Sequence, residues 1–285
     1  MRRLLGLTMV GLAALTVFLI GLGGTTSAQQ PQPNDGTVIV VAAPPLPQVH
    51  VCYNVEKGHE VLADARLGTT NFGGDRVTIV RLVMMCELST LNVSSANNPA
   101  PPTAPDTRIL ACYSLKDGGN PNDPYQIETV FFKDAVIVGQ SNLMCETAAK
   151  YVTDAAGNVQ KFGTPSGNVR QCFDLRKGDD VGKPFIIANN NFGLDKVRIG
   201  AGMQMCEEAE KRRMINGMLD VTGFANGVVE ECFRMRGTVD SKATFVLETE
   251  NFGRSEVVVR AARMVCVPGV KTPIFTASID AARNP

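Results

Sequence analysis

The spacing of the cysteines constrains this chain more than any other feature of its sequence. The eight cysteines are Cys52, Cys86, Cys112, Cys145, Cys172, Cys206, Cys232 and Cys266. The first member of each consecutive pair recurs every 60 residues, and the second member follows it by 33 or 34 residues. Self-similarity at a fixed period predicts tandem structural units.

Other positions keep the same period. An aromatic residue follows each first cysteine, and a phenylalanine recurs near the middle of each unit. These residues are Tyr53, Tyr113, Phe173 and Phe233, and then Phe72, Phe132, Phe192 and Phe252. Three of the latter lie in Asn-Phe-Gly, whereas the second unit reads Phe131-Phe132-Lys133. Because a small β unit has few large apolar residues, we expect the repeated aromatics to pack in its core.

The repeat favours one disulfide pairing among the 105 that eight cysteines permit. It pairs the two cysteines of each unit, and the bonds join Cys52 to Cys86, Cys112 to Cys145, Cys172 to Cys206 and Cys232 to Cys266. Pairing between neighbouring units remains an alternative. Structural zinc is a weaker alternative, because its ligands lie at short spacings and these cysteines do not. A core of about 40 ordered residues rarely stabilises itself, so each unit needs such a clip.

Each unit has the pattern of a short antiparallel sheet. An apolar segment surrounds the first cysteine, a glycine-containing turn follows, and two segments with alternating apolar residues flank the Asn-Phe-Gly turn. Examples of the alternation are Phe185 and Ile187, and Val197 and Ile199. We therefore predict an all-β fold of four tandem, disulfide-clipped units of about three antiparallel strands each, which can pack in pairs as sandwich-like domains.

The N-terminal segment predicts export. Arg2 and Arg3 precede an apolar run from Leu4 to Ile20, and the small residues that end at Ala28 suit signal-peptide cleavage. An uncleaved anchor is the alternative, because the run approaches the length of a membrane span.

The repeat and the composition together divide the chain. We assign 1–28 to a signal peptide, 29–47 to a disordered linker, 48–107, 108–167, 168–227 and 228–270 to the four units, and 271–285 to a tail. Within the third unit, the charged stretch 207–219 is expected to form one or two helical turns. No membrane span is expected in the mature chain.

Few residues suggest chemistry. His50 and His59 are the two histidines, and we interpret both as ordinary surface or edge residues. A glutamate follows the second cysteine in three units, at Glu87, Glu146 and Glu207, and solvated strand ends explain these. We predict no catalytic residue, no cofactor and no metal ligand. The formal net charge is zero and no basic patch stands out in the sequence, so a nucleic-acid partner is not indicated.

The cysteine, aromatic and Phe-Gly positions, together with Cys266-Val267-Pro268, resemble a family of Cys-paired tandem repeat domains in secreted bacterial and archaeal proteins. This family is a domain of unknown function. The resemblance covers residues 49–268 and implies an exported, all-β repeat without implying an activity. The second unit, which lacks Asn-Phe-Gly, departs most from the pattern.

The sequence favours a non-catalytic exported protein that binds or scaffolds at the cell surface or outside the cell. Its partner would be a surface protein or a glycan, and repetition permits multivalent contact. An enzyme or enzyme inhibitor is the first alternative, and it predicts a non-repeated polar cluster at a junction between units. A structural envelope component is the second alternative.

Overall fold

In the computed structural model, the described residues are 48–93, 108–189, 192–215, 218–223 and 229–274. The predicted signal peptide, the linker 29–47 and most of the tail lie outside these residues. All described regular structure is β-strand, and the strands form one antiparallel sheet. None of the described segments is a helix that could cross a membrane.

Each unit contributes three main strands in the predicted order. The first strands, which carry the first cysteines, are β1 (Gln48–Glu56), β4 (Ile109–Lys116), β8 (Val169–Arg176) and β12 (Val229–Arg236). The middle strands are β2 (Glu60–Thr69), β5 (Asp123–Thr129), β9 (Pro184–Asn189) and β13 (Ala243–Thr249). The third strands are β3 (Gly73–Val93), β6 (Lys133–Thr153), β10 (Gly193–Ile215) and β14 (Gly253–Pro273). Two further strands, β7 (Val159–Phe162) and β11 (Met218–Gly223), form hairpins with β6 and β10.

The expectation of helical turns in 207–219 is wrong. β10 continues through this stretch to Ile215, and β11 begins at Met218. Buried residues alternate there with more exposed ones, as in a strand, and the buried set of Glu207, Ala209 and Lys211 includes two charged residues, so the local charge pattern does not decide the structure.

The first and third strands form a closed ring of eight strands. Going around it, β1 pairs with β3, β3 with β4, β4 with β6 and β6 with β8. The ring continues from β8 to β10, β12 and β14, and β14 pairs with β1. The first described strand therefore lies beside the last described one.

The middle strands join opposite units. Besides its own third strand, β2 of unit 1 pairs with β10 of unit 3, and β9 of unit 3 pairs with β3 of unit 1. Units 2 and 4 make the same exchange through β5 with β14 and β13 with β6. Every third strand continues past its cysteine and pairs there with the middle strand of the opposite unit. No unit therefore completes its own sheet.

The predicted disulfides are confirmed. Each of the four bridges joins the first and third strands of one unit. Sulfur atoms of neighbouring bridges touch, at 3.7 Å between Cys86 and Cys112 and 3.8 Å between Cys206 and Cys232. The bridges cluster inside the ring with four buried apolar side chains, which are Met84, Leu110, Leu143 and Met264.

The repeated aromatic residues pack between opposite units. The ring of Tyr53 in unit 1 lies 4.3 Å from that of Phe192 in unit 3, and Tyr113 in unit 2 lies 4.7 Å from Phe252 in unit 4. The pairs Phe173 with Phe72 and Phe233 with Phe132 complete the pattern, at 4.7 and 5.9 Å. The methionines before the second cysteine, Met85, Met144 and Met205, are fully buried as well.

Candidate binding sites and buried polar groups

The glutamates that follow the second cysteines are not solvated strand ends, so that interpretation is wrong. Glu87, Glu146 and Glu207 are buried, and each meets a lysine on the third strand of the next unit, which in unit 4 continues to Pro273, beyond the predicted end of the unit. Lys150 contacts Glu87, Lys271 contacts Glu207, and Lys211 lies 3.5 Å from Glu146. Each lysine stands five residues after the second cysteine of its own unit. Nothing near the lysines in the sequence identifies the glutamates of another unit as their partners.

Asn-Phe-Gly contributes to these pairs. The side chain of Asn71 donates to Glu207 at 3.3 Å, and that of Asn251 donates to Glu146. The next residue of each motif supplies a ring for the lysine: Lys271 lies 4.3 Å from the centre of Phe72, and Lys211 lies 4.8 Å from that of Phe252. Each such group of Asn, Glu and Lys therefore draws on three different units, and we call it a buried triad.

The fourth equivalent place is apolar at all three positions. Following the same relation between units, the asparagine, glutamate and lysine positions there are Phe131, Val267 and Leu91. Val267 and Leu91 are buried in the main core, and Phe131 packs against that core. Unit 2 thus lacks the asparagine of Asn-Phe-Gly, and at the same place unit 4 lacks the glutamate and unit 1 lacks the lysine.

Burial opposes the charges of these glutamate–lysine pairs. It raises the pKa of Glu146, against the stabilising effect of Lys211. It also lowers the pKa of Lys150, against the effect of Glu87. Removing one partner would leave the other ionisable group buried alone, which is strongly destabilising.

A different pair of acids lies between units 2 and 4. Asp134 and Glu231 are fully buried, and their carboxyl groups are within hydrogen-bonding reach of each other. Burial and the neighbouring Asp134 raise the pKa of Glu231 to about 8. Asp134 also accepts a hydrogen bond from the backbone nitrogen of Asp179 at 2.8 Å. We call Asp134 and Glu231 the carboxyl pair.

His50 is buried, and its interpretation as a surface or edge residue is wrong. Its Nδ1 lies 2.9 Å from a carboxylate oxygen of Glu230, and Arg170 donates to the other oxygen of the same group. Burial alone would raise the pKa of Glu230, but His50 and Arg170 outweigh it and hold the value at about 2. With Leu110, these residues occupy the position two residues before the first cysteine in the four units.

A cavity of about 320 Å³ adjoins this ring of four positions. Its lining includes His50, Arg170 and Glu208 as well as hydroxyl groups from the segment before β8. We call it the ring-end pocket. A second cavity, of about 370 Å³, lies beyond the disulfides at the other end of the ring, beside Asn54 and Ser114.

Comparisons with known proteins leave the chain without an assignment. No protein-family model matches it, and no similar curated protein or solved structure was found. The resemblance to a family of secreted repeat domains therefore stays a prediction.

The four disulfides indicate that the protein folds in an oxidising compartment. Among the described residues, no group of three or more His, Cys, Asp or Glu side chains could hold a metal ion.

One exposed face of the sheet carries a row of arginines. Arg76 on β3 lies directly opposite Arg66 on β2, and Arg66 lies opposite Arg212 on β10. Directly opposed residues share a face of a sheet, so the three guanidinium groups stand side by side. Arg212 contacts Glu210, but Arg66 and Arg76 form no ion pair with any described residue.

The β10–β11 hairpin extends this row with apolar residues. Val221 lies opposite Arg212, and Leu219 lies opposite Met214. The exposed fractions of Val221, Leu219 and Met214 are 48, 61 and 64%. We call the arginine row and these three residues the cationic face. The sequence does not reveal it, because its residues lie about 140 positions apart and meet only through the exchange between units 1 and 3.

Proposed function

We propose that the chain is a non-catalytic protein that binds or scaffolds partners at the cell surface or outside the cell, and that the cationic face is its contact surface. The observation that carries this proposal is a comparison of the four equivalent rows. The register of the strands identifies, in each unit, the three residues that correspond to Arg76, Arg66 and Arg212.

The other three rows have no comparable charge. They are Ala135, Gln126 and Thr272; Lys196, Ile186 and Asn92; and Glu256, Val246 and Tyr151. The fold therefore does not require arginine at these places. Like charges directly opposite each other destabilise a sheet, so a row of three arginines costs stability without a structural return.

The chemistry of the face points to an acidic protein partner with apolar side chains. Guanidinium groups bind carboxylates in a fork geometry, and neighbouring strands place them about 4.8 Å apart. The exposed methionine, leucine and valine add an apolar area beside the charges, which is typical of protein interaction sites. Export, which the N-terminal segment predicts, would bring this face to partners outside the cell.

The test is binding of synthetic peptides that contain glutamate and leucine, measured by fluorescence anisotropy on the purified mature chain. We expect binding that weakens with salt and that falls about tenfold or more in Arg66→Glu, which corresponds to about 1.4 kcal/mol. Lys196→Glu is the control, since it places the same charge in the equivalent row of unit 3, at the position that corresponds to Arg76, the neighbour of Arg66. Binding that is equal in both variants would contradict the proposal. Binding to phosphatidylglycerol vesicles without binding to the peptides would also contradict the proposal.

A further inference from the structure

The four disulfide bridges form one cluster inside the ring. At three junctions between units, a sulfur atom of one bridge lies close to a sulfur atom of the neighbouring bridge. The distances are 3.7 Å for Cys86 and Cys112, 3.8 Å for Cys206 and Cys232, and 4.0 Å for Cys52 and Cys266. A thiol at any of these positions would therefore face the bridge of the adjoining unit.

Such a thiol can exchange with the bridge beside it. A thiolate attacks one sulfur atom of a disulfide, forms a new disulfide and releases the other sulfur as a thiolate. If Cys112 is the thiolate, its attack on Cys86 forms a bond between the two and releases Cys52. One bond forms and one breaks, so the step consumes neither an oxidant nor a reductant. The released Cys52 then lies beside Cys266, and the same step can follow in unit 4.

The strand register explains why the resting bridges lie within the units. Cys52 lies directly opposite Cys86, whereas Cys112 lies opposite Met84 and is therefore on a diagonal from Cys86. Diagonal neighbours on two strands are further apart than directly opposed ones, so a bridge between units needs a small movement of the strands. Each step away from the native pairing therefore leads to a less populated state.

Burial confines the exchange to the ring. The exposed fraction of each of the eight cysteines is 5% or less, so a thiol there meets the neighbouring bridge before it meets a dissolved thiol or disulfide. All eight cysteines are bonded in the native protein. Exchange therefore begins only after one bridge has been reduced or has lost a cysteine.

We propose that the four bridges form a thiol–disulfide exchange relay, through which the loss of a bridge in one unit passes to the other units. This relay is separate from the cationic face and does not depend on the function proposed for it.

The experiment places one thiol inside the ring of the full mature chain by Cys145→Ser, which leaves Cys112 without its partner. The three sulfur contacts let the thiol move on in three steps. We expect free thiol at four cysteines in decreasing amounts, in the order Cys112, Cys52, Cys232 and Cys172. We expect none at the other three, which are Cys86, Cys206 and Cys266.

The thiol is located by mass spectrometry. Acid stops the exchange, the chain is unfolded at low pH, and the free thiol is labelled with N-ethylmaleimide before digestion. Because the thiolate is the attacking species, the exchange should become about tenfold faster for each pH unit while the thiol is mostly protonated. A double variant with Cys112→Ser and Cys145→Ser contains no thiol and is the control, in which the three remaining bridges should stay within their units.

Label confined to Cys112 would overturn the proposal. Label spread evenly over all seven cysteines would show that the bonds rearrange through unfolding, and this result would overturn it as well.

If circular dichroism shows that Cys145→Ser does not fold, the unmodified chain is partly reduced with dithiothreitol and its bridges are mapped in the same way. Within-unit bridges alone would then overturn the proposal. The bridges that would support it join Cys86 to Cys112, Cys206 to Cys232, or Cys52 to Cys266.

Discussion

At the scale of single residues, equivalent positions in two units place different side chains beside the same aspartate position. Gln171 in unit 3 stands where Glu231 stands in unit 4, one residue before the first cysteine. Its side-chain nitrogen donates to Asp75 at 2.9 Å and to Ser141 at 2.8 Å, so the amide satisfies the half-buried carboxylate of Asp75. Glu231 faces the equivalent acid, Asp134, and can make the same contact only when one of the two carboxyl groups is protonated.

Glu231→Gln should therefore stabilise the protein at alkaline pH. The pKa of Glu231 is about 8 in the folded chain and about 4.3 when unfolded. Between these values the unfolded chain has lost the proton that the folded chain keeps, so stability falls as pH rises and levels off above about pH 8. We expect a gain of about 2–4 kcal/mol at pH 8.5 and little gain near pH 4 from urea denaturation. Glu60→Gln, at an exposed position, is the control, and a gain that is independent of pH would contradict the prediction.

At the scale of elements, the long third strands explain both the successes and the failures of sequence reasoning. The cysteine pairs and the alternation of residues are local signals, so the strands of each unit and the four bridges could be predicted. The exchange between opposite units pairs strands that lie far apart in the sequence. It determines which side chains surround the residues after each second cysteine. The burial of Glu146 could not be predicted for that reason. The partner of His50 could not be predicted either, because closure of the ring brings unit 4 beside unit 1. A comparison of the units did hold one usable signal: unit 4 lacks the glutamate and unit 1 lacks the lysine.

The apolar counterpart of the triads can be tested by rebuilding the polar version. Leu91→Lys alone places an unpaired amine in the core and should cost about 3 kcal/mol or more. Adding Val267→Glu and Phe131→Asn supplies the two missing partners, so the triple variant should recover a large part of that loss. Chemical denaturation of the single, double and triple variants measures the coupling. If the triple variant is no more stable than the sum of its single changes predicts, the three positions do not form one group.

At the scale of the whole molecule, closure of the ring makes the four units one cooperative structure. β1 pairs with β14 over most of its length, and both exchanges between opposite units require all four units. A chain of the first three units would leave two open sheet edges and would leave unit 2 without its exchange partner, unit 4.

A chain that ends at residue 228 should therefore lose cooperative unfolding altogether. Circular dichroism during a urea titration would show a broad, featureless change in place of one sharp transition. A chain that ends at Ile274 keeps every described strand and serves as the control. A sharp transition in the shorter chain would show that three units fold without the fourth.

Contact between β1 and β14 also sets the order of events during biogenesis. A ribosome or an export pore releases a chain from its N-terminus, so Val51 and its neighbours emerge long before their partners around Val265. Until those last strands arrive, the earlier units cannot lock into their final arrangement, and their cysteines stay near thiols of more than one unit. The protein therefore reaches its native state only after the whole chain has been released, and its disulfide bonds settle in the oxidising compartment where it folds.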